Sequence, residues 1–400
     1  MAVKKLLGAL LTAFLLTGCV APAQLNSEGR VYEVSLAYIG GRPALAWHGG
    51  ALQHEALFMR YASATGRPQG PVLRLTDATR DAYEASLQDV GGDALVAWYE
   101  QEGDSRSGGV RRQVALLSRF DANGRPRWQR QLSANDVKGR LPVVRVRGDV
   151  IHVAWIEERD GADSTIRVAG LNAAGEWLQQ PIDAALAGRD TWNLNAAVGA
   201  DGTFHVLYDS SKDSTAKELH WLRVQHGRIE DRRVSTDDGR ESAYPDIALE
   251  GTRAAITWFD SRDGNEEVYL RCVQLDASGA APANLRLDDD AHRITHTPDD
   301  SIGAYVAWHE GGIELAWTQV HGERRRLMLQ RFDRDCRAVG EARQLAGARG
   351  AAGIASLASS NTGFAVAWDE QRHDTRTLHG HSRRITFVAL LRTWPHGTTR

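Results

Sequence analysis

The sequence predicts an all-β chain: a seven-bladed β-propeller of four-stranded antiparallel blades, its ring closed by an N-terminal strand. Three observations predict it. First, an arginine is followed 15 to 24 residues later by an apolar run ending in an aromatic residue, at Arg30/Trp47, Arg80/Trp98, Arg140/Trp155, Arg189/Tyr208, Arg240/Trp258, Arg293/Trp317 and Arg349/Trp368. Successive arginines stand 50, 60, 49, 51, 53 and 56 residues apart, the length of a four-stranded sheet with its turns. Second, each unit breaks into short apolar runs separated by Gly, Asp, Asn and Ser. Third, no segment between repeats sustains a 3.6-residue apolar period, so crossover helices are excluded and the strands must form antiparallel meanders.

The chain opens with a secretion signal. Lys4 and Lys5 precede an apolar stretch from Leu6 to Leu16, too short for a membrane span, and Leu16-Thr17-Gly18-Cys19 follows. That tetrapeptide resembles the lipobox of bacterial lipoproteins. The resemblance implies that residues 1–18 are removed and that Cys19 becomes the first residue, with acyl chains (palmitate among them) on its sulfur and amine. Val20 stands where the inner-membrane retention signal has aspartate, which implies an outer-membrane anchor in a Gram-negative envelope, on a side the sequence leaves open. Residues 19–391 then read as one propeller domain and 392–400 as a tail.

The fifth repeat shows the plan of a blade. Tyr244-Pro245-Asp246-Ile247-Ala248-Leu249 is the first strand, Ala254 to Phe259 the second, Val268 to Leu275 the third and Leu285-Arg286-Leu287 the expected fourth, with turn residues between. Second strands elsewhere read Ala44 to Trp47, Ala94 to Trp98, Ile151 to Trp155, Phe204 to Tyr208, Ile313 to Trp317 and Phe364 to Trp368. Alternation sends every repeated aromatic to one face, where it fills the gap between neighbouring blades. The seventh repeat runs out after a third strand around Ile385 to Leu391, whereas residues 21–29 occupy a fourth-strand position before Arg30. Those residues are expected to complete the last blade and leave no open edge.

Composition narrows the function. The formal charge is −3, and removal of Lys4 and Lys5 makes it two units more negative, which argues against nucleic acid as a partner. Cys272 and Cys336 remain after lipidation, an even pair in an oxidising compartment whose pairing the sequence leaves open. There is no nucleophile elbow, no His-Glu-x-x-His and no phosphate-cradling glycine loop, and no cofactor is implied. His292 and His296 near Asp288, Asp289 and Asp290 match no common metal-ligand spacing, so they read as solvated loop residues.

Candidate ligand contacts follow from the meander, which puts the connection between blades and the turn after the second strand on one face. The repeat arginines lie on that connection. They form either a cationic rim for an anionic ligand or struts to the acids Glu100, Glu157, Asp209, Asp260 and Asp369 just past the aromatics. Where the connections depart from the repeat they add rings and charges, giving Arg80, Tyr83, Arg189, Trp192, Arg240, Tyr244, Arg293 and His296 as candidate ligand-binding residues.

Tyr244-Pro245-Asp246-Ile247-Ala248 and Trp258-Phe259-Asp260-Ser261-Arg262-Asp263-Gly264-Asn265-Glu266-Glu267-Val268-Tyr269 resemble the repeats of sialidase-like propellers, the BNR or Asp-box proteins. The family's Asp-box survives only as Ser235-Thr236-Asp237-Asp238-Gly239, and Arg140-Leu141-Pro142 stands for its Arg-Ile-Pro. Tyr83 with Glu84, or Tyr244 with Glu241, would supply a tyrosine and glutamate for such an enzyme, but neither pair sits in a family signature. The leading expectation is therefore a lipid-anchored propeller that binds a glycan or protein ligand without catalysis. A sialidase-like glycoside hydrolase and an outer-membrane assembly scaffold are the alternatives.

Overall fold

Backbone hydrogen bonds in the computed structural model divide the chain into seven four-stranded antiparallel sheets, with no helix among the described residues. The structure describes residues 22–26, 29–50, 54–77, 79–102, 112–159, 163–188, 190–322, 324–347, 350–374 and 384–395. Blade 7 contains the first strand, β1 (Ala23–Gln24). Blade 1 is β2 to β5 (Tyr32–Ile39, Arg42–Gly49, Ala56–Ala62, Pro68–Arg74) and blade 2 is β6 to β9 (Asp81–Val90, Asp93–Glu102, Arg112–Phe120, Pro126–Gln131). Blade 3 is β10 to β13 (Lys138–Arg147, Val150–Glu158, Ser164–Asn172, Trp177–Ala187) and blade 4 is β14 to β17 (Leu194–Val198, Phe204–Ser210, Glu218–Gln225, Arg228–Arg233). Blade 5 is β18 to β21 (Ser242–Glu250, Arg253–Asp260, Glu267–Gln274, His292–Arg293) and blade 6 is β22 to β25 (Ser301–His309, Gly312–His321, Arg324–Phe332, Ala338–Ala346). β26, β27 and β28 (Gly350–Ser360, Gly363–Asp374, Arg384–Pro395) complete blade 7 with β1.

Ring closure follows the sequence pattern. Ala23 pairs with Leu391 and Gln24 with Leu390, so the start of the described chain is the outermost strand of the last blade. Leu25 is fully buried, its N–H donates to the Ala389 carbonyl at 2.8 Å, and the Asn26 side chain accepts the Ala389 N–H at 2.8 Å. β28 continues to Pro395, past the Leu391 at which the sequence pattern faded.

The repeat aromatics are wedges between blades. Trp47, Trp98, Trp155, Tyr208, Trp258, Trp317 and Trp368 are all at most 3% exposed. A buried indole N–H needs an acceptor, and the residue two further along a strand shares its face. Hence Trp98, Trp155, Trp258 and Trp368 donate to Glu100, Glu157, Asp260 and Glu370, each two positions on. Each acid also holds an arginine: Glu100 takes Arg80, Glu157 takes Arg167, Asp260 takes Arg262 and Glu370 takes Arg372. The acids past the aromatics are thus structural in these blades, and only Arg80 among their partners is a repeat arginine.

One strand lies elsewhere than expected. Leu285-Arg286-Leu287 is not the fourth strand of blade 5; β21, at His292–Arg293, takes that place. The leucines are buried, but the Leu287 N–H donates to Val234 O in blade 4, and Arg286 reaches Arg233 O. The segment after Pro282 therefore covers the outer edge of the preceding blade. Arg293 accordingly belongs to the outer strand of blade 5 and not to the opening of blade 6.

Cys272 and Cys336 form a disulfide, with Cα atoms 5.7 Å apart, that ties β20 to the turn between β24 and β25. The equivalent turns use glycine at a left-handed position, Gly66, Gly124, Gly175 and Gly279 with φ of 72 to 80°. Cys336, at φ 63°, takes the glycine position in blade 6. The bridge thereby clamps two blades through a turn that needs a special backbone.

Two stability measurements check this architecture. Leu25→Ala should cost about 2–5 kcal/mol in urea unfolding because it opens the closing strand; a loss below about 0.5 kcal/mol would show that closure carries no stability. The double change Cys272→Ser with Cys336→Gly should lower stability by about 2–4 kcal/mol while relieving the left-handed side chain.

Candidate functional site

The seven first strands line an axial cavity of about 920 Å³, within the range that holds a small ligand. Its mouth is shaped by a repeated irregularity. Pairing of first and second strands skips between Tyr32 and Ser35, Tyr83 and Ser86, Arg140 and Val143, Ala243 and Asp246, Ile302 and Tyr305, and Ala352 and Ala355. In five of these bulges one residue is left-handed: Glu33, Glu84, Leu141, Tyr244 and Gly303, with φ of 49 to 59°. Four of the five carry side chains, which makes the conformation costly at each, on the order of 1–3 kcal/mol.

Contacts across the blade boundary hold the bulges in place. The residue after the repeat aromatic accepts the N–H of the bulge residue in the next blade: His48 Nδ1 takes Glu84 N–H (3.5 Å), Asp209 takes Tyr244 N–H (3.2 Å) and Asp369 takes Glu33 N–H. Thr318 makes the converse bond, donating to Gly353 O at 2.9 Å. His48 suits this role because burial holds its imidazole well down, to about 4, so Nδ1 stays a neutral acceptor. Deeper in the channel a second belt joins blades: Ser356 accepts Leu36 N–H, Ser35 accepts Leu87 N–H, Ser86 accepts Val144 N–H and Asp246 accepts Val306 N–H, at 2.8 to 3.2 Å.

These bulges direct Glu33 and Glu84 into the cavity wall. Glu84 makes no side-chain hydrogen bond or ion pair among the described residues. Burial, then the charge of Glu33, pushes its carboxyl up to about 8, against the pull of the Arg140 guanidinium. Burial and Asp369 push Glu33 up to about 7. Half of the Glu33 side chain remains open to solvent through the mouth, so water relieves part of that push and the direction is what stands. Asp369 is raised to about 6, chiefly by burial. All three carboxyls are thus pushed toward the protonated form, and a protonated carboxyl is a hydrogen-bond donor as well as an acceptor.

Rings and one cation complete the mouth. Arg140 is 4% exposed, donates to Thr191 O at 2.8 Å and lies 4.4 Å beneath the Trp192 ring, which is itself 57% exposed. Its Nη1 has no hydrogen-bond partner. Tyr244 is 40% exposed and packs at a tilt against Phe259, while Tyr99 lines the wall and packs at a tilt against Tyr83, ring centres 5.4 Å apart. Among the described residues no group of three His, Cys, Asp or Glu side chains is arranged to hold a metal ion.

The structure brings some of the predicted site residues together and disperses others. Trp192 and Tyr244 line the cavity, and Tyr83 lies one ring behind it, between His48 and Tyr99. Arg80 bonds Glu100 and Glu102, and Arg293 bonds Asp263 and Glu267, so both are engaged away from the cavity lining. Arg30 is likewise paired, with Glu55. Arg240 and His296 are exposed outside the lining. Arg189, Arg349 and Cys19 lie outside the described residues. The residues not singled out by sequence reasoning as ligand contacts are Glu33, Tyr99, Arg140 and Asp369. The signal for Glu33 and Arg140 was a charged residue where the first strand breaks its alternation, whereas Tyr99 and Asp369 directly follow the wedge aromatic on second strands.

No protein-family model matches the chain, and no curated protein matches it. Solved structures resemble it in fold. The endosialidase of phage phi92 aligns with a TM-score of 0.53 at 8% identity, over 95% of this chain and 70% of that one. A GH93 α-L-arabinofuranosidase of Fusarium graminearum aligns with a TM-score of 0.50 at 13% identity, over 77% and 91%. A prolyl endopeptidase aligns with a TM-score of 0.52 at 14% identity, over 92% of this chain and 47% of that one. At these identities the likeness is one of fold, a propeller shared with sialidase-type and other glycosidase proteins.

The raised carboxyls give a pH test. A carboxyl that holds its proton more tightly when folded stabilises the fold below its unfolded value, near 4.5, and that contribution is lost as pH climbs through the folded value. For Glu84 the window runs from about 4.5 to about 8. Urea midpoints should therefore fall between pH 5 and pH 8, and Glu84→Gln should flatten the fall and raise the midpoint at pH 8. Parallel pH profiles for the two proteins would contradict the assignment.

Proposed function

We propose that this chain is a lipid-anchored propeller that binds a glycan at the mouth of its axial cavity. The observation that carries the reading is the composition of the mouth: an exposed tryptophan backed by a buried arginine, facing carboxyls that donate and accept hydrogen bonds. A sugar ring offers an apolar face for stacking and a circle of hydroxyls that are both donors and acceptors, and this set of groups complements it.

The anchor reading rests on the lipobox resemblance at Cys19 and places the protein on the outer membrane. The direction of β1 supports an orientation. First strands run away from the cavity mouth, so fourth strands run toward it, and β1 is the fourth strand of blade 7. The chain therefore enters from the opposite face. Only three residues separate Cys19 from Ala23, a span of about 13 Å when extended. Held there, the disc presents its mouth away from the bilayer, open to glycans of the envelope space. The Cys272–Cys336 disulfide agrees with an exported protein.

A second reading, glycoside hydrolysis, is favoured by one observation: Glu33 and Glu84 share a solvent-open site with protons held near neutrality, as a general acid requires. A glycan array with the purified chain, followed by assay of hydrolysis on any glycan retained, separates the two. Binding without turnover is expected. Trp192→Ala should weaken binding by about tenfold or more; unchanged affinity would remove the mouth as the site. Turnover abolished by Glu84→Gln would establish the second reading over the first.

A further inference from the structure

Arginines on the mouth face differ in how they are held: Arg140 bonds a carbonyl under Trp192, and Arg240 is exposed. Most are held by acids: Arg30 by Glu55, Arg80 by Glu100 and Glu102, Arg262 by Asp260, Arg293 by Asp263 and Glu267, and Arg372 by Glu370. Arg30, Arg80 and Arg293 thereby bridge neighbouring segments, whereas Arg262 and Arg372 pair with the acid two positions earlier. Arg324, Arg325 and Arg326, three in succession at the start of β24, have no hydrogen bond or ion pair from their side chains among the described residues. Arg324 and Arg325 are exposed and Arg326 is partly so.

Their position is fixed by topology. β23 climbs to the mouth face and β24 descends from it, with His321 opposite Arg324 and Gln319 opposite Arg326. The hairpin therefore stands on the mouth face, outward of the axis-lining strand β22, and the Arg325 charge is felt by the Asp369 carboxyl. Nearby acids are already occupied: Asp299 binds His321 at 2.6 Å and the Asp300 carboxylate accepts Glu266 N–H at 3.1 Å. Glu323, the one acid within the hairpin sequence, lies outside the described residues. Alternation along the strand places Arg324 and Arg326 on one face and Arg325 on the other, so the three arginines are divided between both faces of the hairpin.

We infer that the Arg324–Arg326 hairpin is a docking rail for an anionic glycan chain, gripping carboxylate, sulfate or phosphate substituents of the same polymer whose neutral ring sits over Trp192. This rests on the glycan reading of the cavity and extends it to a substrate class. Guanidinium groups without acid partners retain their full capacity for paired hydrogen bonds to such anions. The position of the rail favours a polymer over membrane headgroups, because β1 carries the chain start toward the opposite face.

The test compares the purified full chain with its Arg324→Gln/Arg325→Gln/Arg326→Gln variant. The probes are polygalacturonate, neutral dextran, and vesicles of phosphatidylglycerol with phosphatidylcholine. Polygalacturonate should bind with an affinity that falls as salt rises, and the triple variant should bind it about tenfold more weakly with an unchanged melting temperature. Equal binding of polygalacturonate by both proteins, or binding of the vesicles alone, would overturn the inference. Trp192→Ala distinguishes failure of the rail from failure of the cavity. If it weakens capture of glycans on the array while the triple variant binds polygalacturonate normally, the cavity stands and the rail falls.

Discussion

The structure depends on a grip between neighbours: an acceptor just past the wedge aromatic of one blade holds the backbone N–H of a left-handed residue in the next. A left-handed glutamate or tyrosine is unfavourable by itself, and an isolated strand would relax to the ordinary pleat. The neighbouring blade supplies the compensation. Because the N–H of Glu33 or Glu84 is satisfied across the boundary, the side chain is left to face the axis. The same geometry that joins the blades thus points their most variable residues at one place. Seven nearly equivalent positions carry glutamate twice, leucine, tyrosine and smaller or amide groups elsewhere, so an otherwise repetitive ring acquires an asymmetric mouth.

The electrostatics follow from that placement. Glu33, Glu84 and Asp369 come from three blades, and no local sequence context pairs them. Glu33 and Glu84 line the cavity and Asp369 acts on Glu33 from the second strand of blade 7; burial and mutual repulsion raise Glu33 and Glu84, with Arg140 as the opposing charge acting on Glu84. Elsewhere on the same face acids and arginines meet in pairs, some joining separate segments and some two residues apart. The contrast separates charge used for architecture from charge left for a ligand. It applies equally to the arginines, where Arg80 and Arg293 are committed to acids and the β24 hairpin is not.

The repeat was legible because it is a packing requirement. Each wedge aromatic must fill the same gap, so Trp47 through Trp368 recur at nearly constant spacing, and the closing strand at Ala23–Gln24 follows once the last blade is seen to lack its outer member. Two kinds of feature escaped. Leu285 to Leu287 carries strand-like alternation, yet after Pro282 it serves as a cover for blade 4, a tertiary choice with no local mark. The cavity residues escaped because a bulge is set by contacts between blades. Trp192 and Tyr244 stood out as departures from the repeat, whereas Glu33, Arg140 and Asp369 looked like ordinary repeat polar residues until the ring set Glu33 and Arg140 in the cavity wall and Asp369 against Glu33.

The most direct measurement is a carbon-13 NMR titration of the chain with carboxyl-labelled glutamate, assigned by Glu33→Gln and Glu84→Gln. Two glutamate carboxyls should titrate together near neutrality, and loss of either should lower the midpoint of the other, as expected of like charges forced to one axis. If every glutamate titrates near 4.5 and independently, the bulges do not gather their side chains, and the account of the mouth fails.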